Sequence, residues 1–393
     1  MTKPIITFFI VFLLHLPAVG PAEDGPDGDS EDAAAVSENH AWGAIGGLAG
    51  IYYERIDQEG VSNLIVPFFE VSYITPEFFG LSAGAGLTGY MRDAHGEDRE
   101  DKALDDDNVV LHKLFLNYRR SRTSIKFGRQ ALEYMTLLSD YYEAVSLSIE
   151  EIDSLTLNAA YVTKVAESDI DKFTDFQNIN RDNESLDDFL VAAEITWTVL
   201  PETAAVTLYC YHHGNLYQLY GSHAELFYPA QDSRFGFNLD AYGTDEDRVN
   251  GLSDEQGEVH DSTIWHINPV IEVHDFVLSA GYVRAGMAVG AREGGLLDDY
   301  FNPFNEGDKV FEPDAITWYG GLSWEDNGFS LGLVLGTTDY IDDGNPLTEK
   351  EFDIRAGLRL LENLTLETEV AFVDSKGPEG NYSVLEATLF YEF

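Results

Sequence analysis

Charged and polar side chains recur at alternate positions in several segments of this 393-residue chain. Residues two apart on a β-strand point to the same side of a sheet, so each such set would share one face. Opposite charges that face each other across a narrow opening would orient and select dipolar solutes. The candidate residues for lining a pore or its constriction are Lys113, Asn117, Lys126, Arg129, Glu133, Asp140, Glu194, Asp353, Arg355, Arg359, Glu367 and Glu369.

Basic residues are scarce, and six of the 23 Lys and Arg residues fall between Lys113 and Arg129. They could form a cationic strip inside a pore, or they could lie in a turn near lipid head groups. The turn is favoured for three of them, because charges at the rim of a membrane barrel cost little: Arg119, Arg120 and Arg122. The interior is favoured for three others, because Arg or Lys facing lipid at mid-depth costs about 2–4 kcal/mol: Lys126, Arg355 and Arg359.

The chain as a whole is strongly acidic, with 70 Asp and Glu residues and a formal net charge of −47. Such a surface repels phosphate backbones, which excludes nucleic-acid binding through a broad basic surface. Three long polar segments together hold 21 acidic and six basic residues: Arg92–Asn108, Val165–Asp187 and Gly243–Glu258. Around a pore mouth they would concentrate cations within about 8 Å at physiological ionic strength, so the sequence predicts cation preference.

One acidic run could hold a metal ion. Asp105, Asp106 and Asp107 are consecutive carboxylates, which suit a hard cation such as Ca²⁺. They do not follow the spacing of an EF-hand loop, and simple solvated charge is the alternative interpretation. No other cofactor is predicted.

Enzymatic chemistry has weak support in the sequence. Ten His residues are present, but none belongs to a His-Glu-x-x-His metalloprotease motif. His260 and Ser262 share the parity of one predicted strand, which leaves a barrel-embedded hydrolase as a minor alternative. A second alternative is a non-conducting receptor or adhesin that acts through its acidic loops. We predict that the chain is not an enzyme.

The elements that would position these residues are β-strands of about ten residues. In Phe352–Leu360, Leu364–Val373 and Leu385–Phe393, apolar residues alternate with polar ones, and aromatic residues occur near segment ends. Eight short connections alternate with long polar ones, among which we place Thr338–Glu349. A soluble β-sandwich would have short and long connections at both ends, whereas an outer-membrane barrel has short turns at one end and long loops at the other.

These patterns predict an all-β fold, a transmembrane antiparallel up-and-down β-barrel with short periplasmic turns and long extracellular loops. Eight turns join 18 strands when both termini are periplasmic, and 16 strands is the competing count. Such a barrel would act as an outer-membrane porin, a water-filled channel for passive diffusion of small hydrophilic solutes or cations.

The chain divides into three predicted parts. Residues 1–22 have a basic start, an apolar core and a small-residue exit, which is typical of a secretory signal peptide. Residues 23–40 are acidic with interspersed Gly, Pro, Ser and Ala, which predicts a disordered tether. Residues 41–393 would form the barrel.

The final strand ends in a phenylalanine. Leu389-Phe-Tyr-Glu-Phe393 has apolar residues at alternate positions before the terminal Phe393. This ending resembles the signal that the bacterial barrel-assembly machinery reads. It therefore predicts the outer membrane of a Gram-negative bacterium as the location, with outer-membrane lipid around the barrel.

About 60 residues in the first half resemble the substrate-specific, OprD-type porins. The resemblance lies in Leu116–Arg119, Ser124–Gln130, Ala144–Ile149 and Leu155–Lys164. It implies an 18-stranded barrel, a monomer or homotrimer, that passes small solutes and folds the loop after Gly-Arg-Gln into the lumen. That family has a basic ladder for carboxylate substrates, whereas the loop within Ala131–Tyr142 contains no arginine. The substrate class therefore does not carry over.

Overall fold

A computed structural model describes residues 43–58, 62–90, 93–95, 109–166, 176–178, 189–214, 217–231, 233–245, 262–286, 298–307, 309–342, 344–377 and 380–393. The predicted signal peptide (1–22), the predicted tether (23–40) and the candidate metal ligands Asp105, Asp106 and Asp107 lie outside these residues. Most of the three acidic segments also lies outside them.

Eighteen long strands form one closed antiparallel sheet, in which each strand pairs with its neighbours in the chain. The last strand pairs with the first from Leu48–Glu392 to Asp57–Ser383, which closes the barrel. The strands are β1 Ala44–Asp57, β2 Ser62–Ile74, β3 Leu81–Tyr90, β4 Val109–Arg120, β5 Thr123–Ala131, β6 Tyr141–Ile152, β7 Leu155–Ala166, β8 Leu190–Leu200, β9 Ala204–His213, β10 Tyr217–Ala230, β11 Ser233–Asp245, β12 Ser262–Val273, β13 Phe276–Ala285, β14 Ile316–Asp326, β15 Phe329–Asp342, β16 Asn345–Leu361, β17 Leu364–Ser375 and β18 Tyr382–Glu392.

The predicted 18-stranded up-and-down barrel is therefore confirmed, and the alternative of 16 strands is wrong. Two short strands extend the sheet outside the barrel ladder: Asp93–His95 pairs with β2, and Gln177–Asn178 pairs with β7. The other described elements are a single helical turn α1 (Asp298–Phe301) and a 3-10 turn (Lys309–Phe311). Among the described residues, no helix is long and apolar enough to cross a lipid bilayer.

All eight connections at one end of the barrel, which we call the short-turn end, have two to six residues. At the other end, the long-loop end, five connections are much longer. The predicted long loop Thr338–Glu349 is wrong, because β15 and β16 continue through it and only residues 343–344 connect them. Thr348 Oγ1 donates a hydrogen bond to Asp339 Oδ1 at 2.7 Å, so this polar stretch is a paired ladder. Gly344 supplies the positive φ of +77° that the tight turn requires.

The two faces of the wall have opposite character. Leu114, Leu208 and Leu278 are each more than half exposed on the outside, whereas Tyr52 and Tyr211 are fully buried on the inside. Exposed aromatic residues mark both ends of the apolar outer belt. They are Tyr73, Tyr118, Trp197 and Tyr391 towards the short-turn end and Tyr161, Trp265 and Trp318 towards the long-loop end. A closed barrel with an apolar belt between aromatic girdles is the form of an outer-membrane protein.

The terminal residue belongs to the seam where the barrel closes. The Phe393 N–H donates to the Gly47 carbonyl at 3.0 Å, and the Gly47 N–H donates back at 3.0 Å. An added Cβ on Gly47 would lie 2.7 Å from the Phe393 ring, so the terminal ring needs a glycine beside it.

Candidate functional site

Buried carboxylates cluster on the inner wall near the closing seam. The residues are Glu54, Glu351, Asp353, Glu369 and Glu386, all 5% exposed or less, and we call them the carboxylate cluster. They face inward because strand alternation puts the polar side chains opposite the apolar outer belt. No soluble core would concentrate so many acids, since burying a charge is costly unless it is paired.

Strand register assembles this cluster from both ends of the chain. Glu54 on β1 pairs with Glu386 on β18, Glu386 pairs with Glu369 on β17, and Glu369 pairs with Arg355 on β16. Directly opposed side chains have Cβ atoms about 4.5–5.5 Å apart, so these four residues form a row around the inner wall. Asp353 precedes Arg355 by two residues on β16, which puts it on the same face.

Hydrogen bonds satisfy part of the cluster. Arg355 Nε donates to Glu369 Oε1 at 2.7 Å. The Tyr52 hydroxyl lies 2.9 Å from Glu386 Oε1 and 3.1 Å from Glu54 Oε2. One guanidinium faces five carboxylates in this part of the wall.

The connection 132–140, which we call the first inserted loop, packs against the inner wall. Leu132, Met135, Leu137 and Leu138 are 4% exposed or less, in one apolar cluster with inward-facing Tyr211. This agrees with the inserted loop that the family resemblance implies.

Glu194 on β8 holds this loop in place. Its Oε1 accepts a hydrogen bond from the Thr136 backbone N–H at 2.7 Å and another from the Tyr211 hydroxyl. The Tyr211 oxygen lies 3.4 Å from the Leu137 backbone nitrogen, which donates to it. Asn158 Nδ2 adds a bond of 3.4 Å to the Tyr134 carbonyl.

Replacing Glu194 with alanine should therefore loosen the first inserted loop. Two buried donors, the Thr136 N–H and the Tyr211 hydroxyl, would lose their acceptor, which costs about 1–3 kcal/mol for each unsatisfied group. We expect a lower denaturation temperature in detergent and noisier single-channel currents. Glu194→Gln keeps a carbonyl acceptor at the site and should retain most of the stability. If the two variants lose the same stability, the attachment of the first inserted loop depends on the charge of Glu194 and not on its hydrogen-bond acceptor.

A second segment also enters the barrel, and the sequence did not predict it. Residues 298–307 and 309–311, the second inserted loop, bury Phe301, Phe304, Val310 and Phe311 to 4% exposure or less. Gly336 on β15 makes room for Phe304, because a Cβ there would lie 2.5 Å from the Phe304 ring.

The tip of this loop, Asn305–Glu306, docks on the carboxylate cluster through its backbone. The Asn305 N–H donates to Asp353 Oδ2 at 3.3 Å, and the Glu306 N–H donates to Glu351 Oε1 at 2.7 Å. Asn305 Nδ2 also reaches Glu386 Oε2 at 3.5 Å.

A histidine–aspartate network anchors the start of the same loop on another sector of the wall. The Tyr300 hydroxyl donates to Asp240 Oδ1 on β11 at 3.3 Å. The two oxygens of Asp240 contact His223 Nδ1 at 2.5 Å and His266 Nδ1 at 3.1 Å. The second inserted loop therefore bridges β10–β12 to β16–β18 inside the barrel, where it can restrict passage.

Two lysines of the predicted basic strip contact inward-facing groups. Lys113 Nζ lies 3.3 Å from Glu70 Oε1, and Lys126 Nζ lies 4.7 Å from the centre of the inward-facing Phe115 ring. Asn117 pairs with Lys126 and shares its inner face.

The pore-lining role of Arg129 stays a prediction, because its backbone register and its side-chain contact indicate different faces of the wall. Arg129 pairs with Leu114, which is 52% exposed on the outer face, and its guanidinium lies 4.3 Å from the centre of the Phe176 ring. Gly128, whose φ is +114°, interrupts the regular alternation between positions 126 and 129.

The other candidates lie in the first inserted loop and on strands β16 and β17. Glu133 and Asp140 lie in the first inserted loop, Glu133 being exposed. Glu367 shares the inner face of β17 with Glu369, and Arg359 lies at the short-turn end of β16 with its side chain exposed. Glu54, Glu351 and Asn305 were not predicted, although Glu351 has the same parity as Asp353.

The described residues contain no group of three or more His, Cys, Asp or Glu side chains placed to hold a metal ion. Gly80–Gly84 has the Gly-x-Ser-x-Gly spacing of a hydrolase nucleophile elbow. Ser82 instead lies in barrel strand β3, paired with Asn117, and not on the strand-to-helix turn that such an elbow needs.

Comparisons with known proteins identify the fold. No family model and no curated protein matches the chain. Pseudomonas aeruginosa OccK8 (OprE) matches with a TM-score of 0.73 and 13% identity over 89% of this chain and 98% of that chain. Pseudomonas aeruginosa OpdQ matches with a TM-score of 0.72 and 14% identity over 89% and 98%. Pseudomonas aeruginosa OpdK with vanillate matches with a TM-score of 0.70 and 14% identity over 89% and 98%. The chain thus has the fold of the OprD-type outer-membrane porins.

Proposed function

We propose that this chain forms a water-filled, cation-preferring channel for passive diffusion of small hydrophilic solutes or ions across the outer membrane. The observation that carries the proposal is the carboxylate cluster, in which five buried acids lie on the inner wall with one arginine among them. A barrel of this strand number is wide enough to enclose an aqueous channel.

Electrostatics supports the preference for cations. Fixed charges inside a low-dielectric wall focus the field along the lumen, so an excess of carboxylates attracts cations and repels anions. The interior lysine Lys113 does not offset this excess, because it is paired with Glu70 at 3.3 Å. The acidic loop sequences add charge of the same sign.

A structural neighbour provides a contrast. The OpdK structure holds vanillate, which is a carboxylate and hence an anion at neutral pH. The wall of this chain concentrates acids at the tip of its second inserted loop, which disfavours a solute of that charge. We therefore propose cations and neutral polar solutes as the permeating species.

Reversal potentials in planar bilayers under a KCl gradient test the proposal. We expect the wild-type channel to pass K⁺ in preference to Cl⁻. The double variant Glu351→Gln/Asp353→Asn should move the reversal potential towards zero, because two of the five carboxylates of the cluster lose their charge. Glu77→Gln, an exposed acid in a connection at the short-turn end, makes a matched control and should leave the potential nearly unchanged. Anion selectivity of the wild type, or the absence of any conductance, would overturn the proposal.

A further inference from the structure

A cavity lies on the outer face of the barrel at the short-turn end, and we call it the rim cavity. It has a volume of about 320 Å³ and is lined by Tyr118, Arg120, Ser121, Thr123, Ile125 and Glu151. Tyr118 and Arg120 continue the alternation of the lipid-facing residue Leu116 along β4, and they pair with Ile125 and Thr123 on β5. Cavities that hold small ligands have about 300–1,000 Å³. The rim cavity therefore has the size of a ligand site and lies where the lipid-facing belt ends.

Two opposite charges line the rim cavity without pairing with each other. Within the described part of the chain, Arg120 forms no ion pair, so its guanidinium is available to a ligand. Three donors hold the Glu151 carboxylate in place. They are the Ser121 hydroxyl at 3.1 Å, the Arg122 backbone N–H at 3.2 Å and the Thr123 hydroxyl at 3.1 Å. A carboxylate has about four acceptor positions, so Glu151 can accept a further hydrogen bond.

The charges around the rim cavity are balanced. Arg122 Nη2 donates to Asp153 Oδ1 at 2.6 Å and to the Glu151 carbonyl at 3.0 Å, so this second guanidinium is already engaged. A ligand that carries only a phosphate would be attracted by Arg120 and repelled by Glu151. A ligand that carries both a phosphate and an ammonium group could satisfy both residues with charge-assisted hydrogen bonds. The lining therefore favours a zwitterion over an anion.

Exposed phenylalanines beside the rim cavity indicate that this part of the barrel lies in lipid. Phe78 and Phe79, in the connection between β2 and β3, are 72% and 86% exposed, and their ring centres are 4.4 Å apart. This connection lies against the end of β4, because the Arg119 N–H donates to the Gly80 carbonyl at 2.6 Å. Exposed apolar patches mark surfaces that another apolar phase covers, and these rings adjoin the lipid-facing belt. The ligand that fits this position is therefore itself a lipid.

We propose that the rim cavity binds a phospholipid whose headgroup joins a phosphate to a primary ammonium group, which is the headgroup chemistry of phosphatidylethanolamine. The phosphate accepts hydrogen bonds from the Arg120 guanidinium, and the ammonium group donates to the Glu151 carboxylate. The acyl chains follow the outer wall over Tyr118 and Ile125 into the apolar belt. Short turns of outer-membrane barrels face the periplasm, so the lipid comes from the periplasmic leaflet. The site lies on the outer wall and does not depend on the proposed channel function.

Native mass spectrometry of the full-length barrel in detergent tests the proposal. The probes are dihexanoyl phosphatidylethanolamine and dihexanoyl phosphatidylglycerol, which share their acyl chains and phosphate and differ in the ammonium group. We expect the ethanolamine lipid to bind about tenfold more tightly, because the glycerol lipid lacks the charged donor for the carboxylate. Glycerophosphoethanolamine, which has the headgroup without acyl chains, should bind more weakly than the ethanolamine lipid because it gains no contact with the apolar wall.

Two variants separate the two halves of the headgroup. Arg120→Gln should weaken the binding of both lipids about tenfold, because both lose the cation that holds the phosphate. Glu151→Gln keeps a carbonyl acceptor for the turn and should weaken the ethanolamine lipid alone, so the ratio of the two affinities falls towards one. The matched control is Arg284→Gln. Arg284 is an exposed arginine that pairs with outward-facing Trp265 near the long-loop end, and its replacement should leave both affinities unchanged.

The ratio of the two lipid affinities decides the test, because a distorted turn would change both affinities alike. Equal binding of the two lipids by the wild type would overturn the proposal. A Glu151→Gln variant with the wild-type ratio would also overturn it, and so would an Arg120→Gln variant that binds both lipids as the wild type does. If glycerophosphoethanolamine binds as tightly as the lipid, the site takes a soluble phosphate ester and the lipid assignment is wrong. None of these outcomes affects the channel proposal, which the reversal potential tests separately.

Discussion

Replacing residues 302–307 with a short Gly-Ser linker is expected to increase the single-channel conductance several-fold. These residues carry Phe304 and the tip Asn305–Glu306 into the lumen, and no strand pairing depends on them. Removing them widens the restricted part of the pathway and exposes the carboxylate cluster to water. Conductance in a planar bilayer at fixed salt measures the effect, and the cation preference should remain because the cluster is untouched.

A matched change in the first inserted loop shows which segment restricts the pore. Replacing Tyr134–Leu137 with a similar linker removes buried side chains from the same lumen but leaves the carboxylate cluster and its covering tip intact. A larger increase with the first linker than with the second identifies the second inserted loop as the restriction. Unchanged conductance after removal of 302–307 would contradict the role assigned to this loop.

The family resemblance predicted the first inserted loop, whereas the second inserted loop was not predicted, and the reason is physical. Val289–Glu312 is polar overall, which favours a surface loop. Yet it carries Phe301, Phe304, Val310 and Phe311, and apolar residues at this density in a loop need a surface to pack against. That signal was present in the sequence, but it does not say which part of the wall receives the loop.

The barrel itself could be predicted because lipid outside and polar groups inside impose alternation on every strand. Short turns at one end then gave the strand count. The prediction failed at Thr338–Glu349, where the strands extend beyond the apolar belt and the outer face carries polar residues such as Asp339 and Thr348. There the Gly344 turn was the better indicator, since a glycine with positive φ suits a two-residue hairpin.

The site could be predicted only in part. The spacing of residues along one strand does not determine which residues of the neighbouring strands they pair with. The alternation of polar and apolar residues was enough to assign Asp353, Arg355 and Glu369 to the inner faces of their strands. The contact between Glu54 and Glu386 joins the first and last strands, so it follows only from closure of the barrel.

Replacing Arg355 with methionine is expected to destabilise the barrel more than any other single change considered for this wall. Its side chain is 14% exposed and its partner Glu369 is 1% exposed, with 2.7 Å between Nε and Oε1. Removing one member of a buried ion pair leaves the other charge uncompensated, which costs about 3–5 kcal/mol. The measurement is the urea midpoint of unfolding in detergent, followed by the shift in electrophoretic mobility between folded and unfolded barrel.

Two comparisons determine whether burial of the charge is the cause. Arg122→Met removes an exposed ion pair with Asp153 of the neighbouring short turn, together with a hydrogen bond to the Glu151 carbonyl, and exposed ion pairs contribute about 0–1 kcal/mol. Arg355→Met/Glu369→Met removes both charges together and should recover much of the loss, because no unpaired carboxylate remains at that position. If the single variant is as stable as wild type, then Arg355 does not balance the cluster. The negative wall would in that case depend on solution cations, and the stability of the wild type should rise with their concentration.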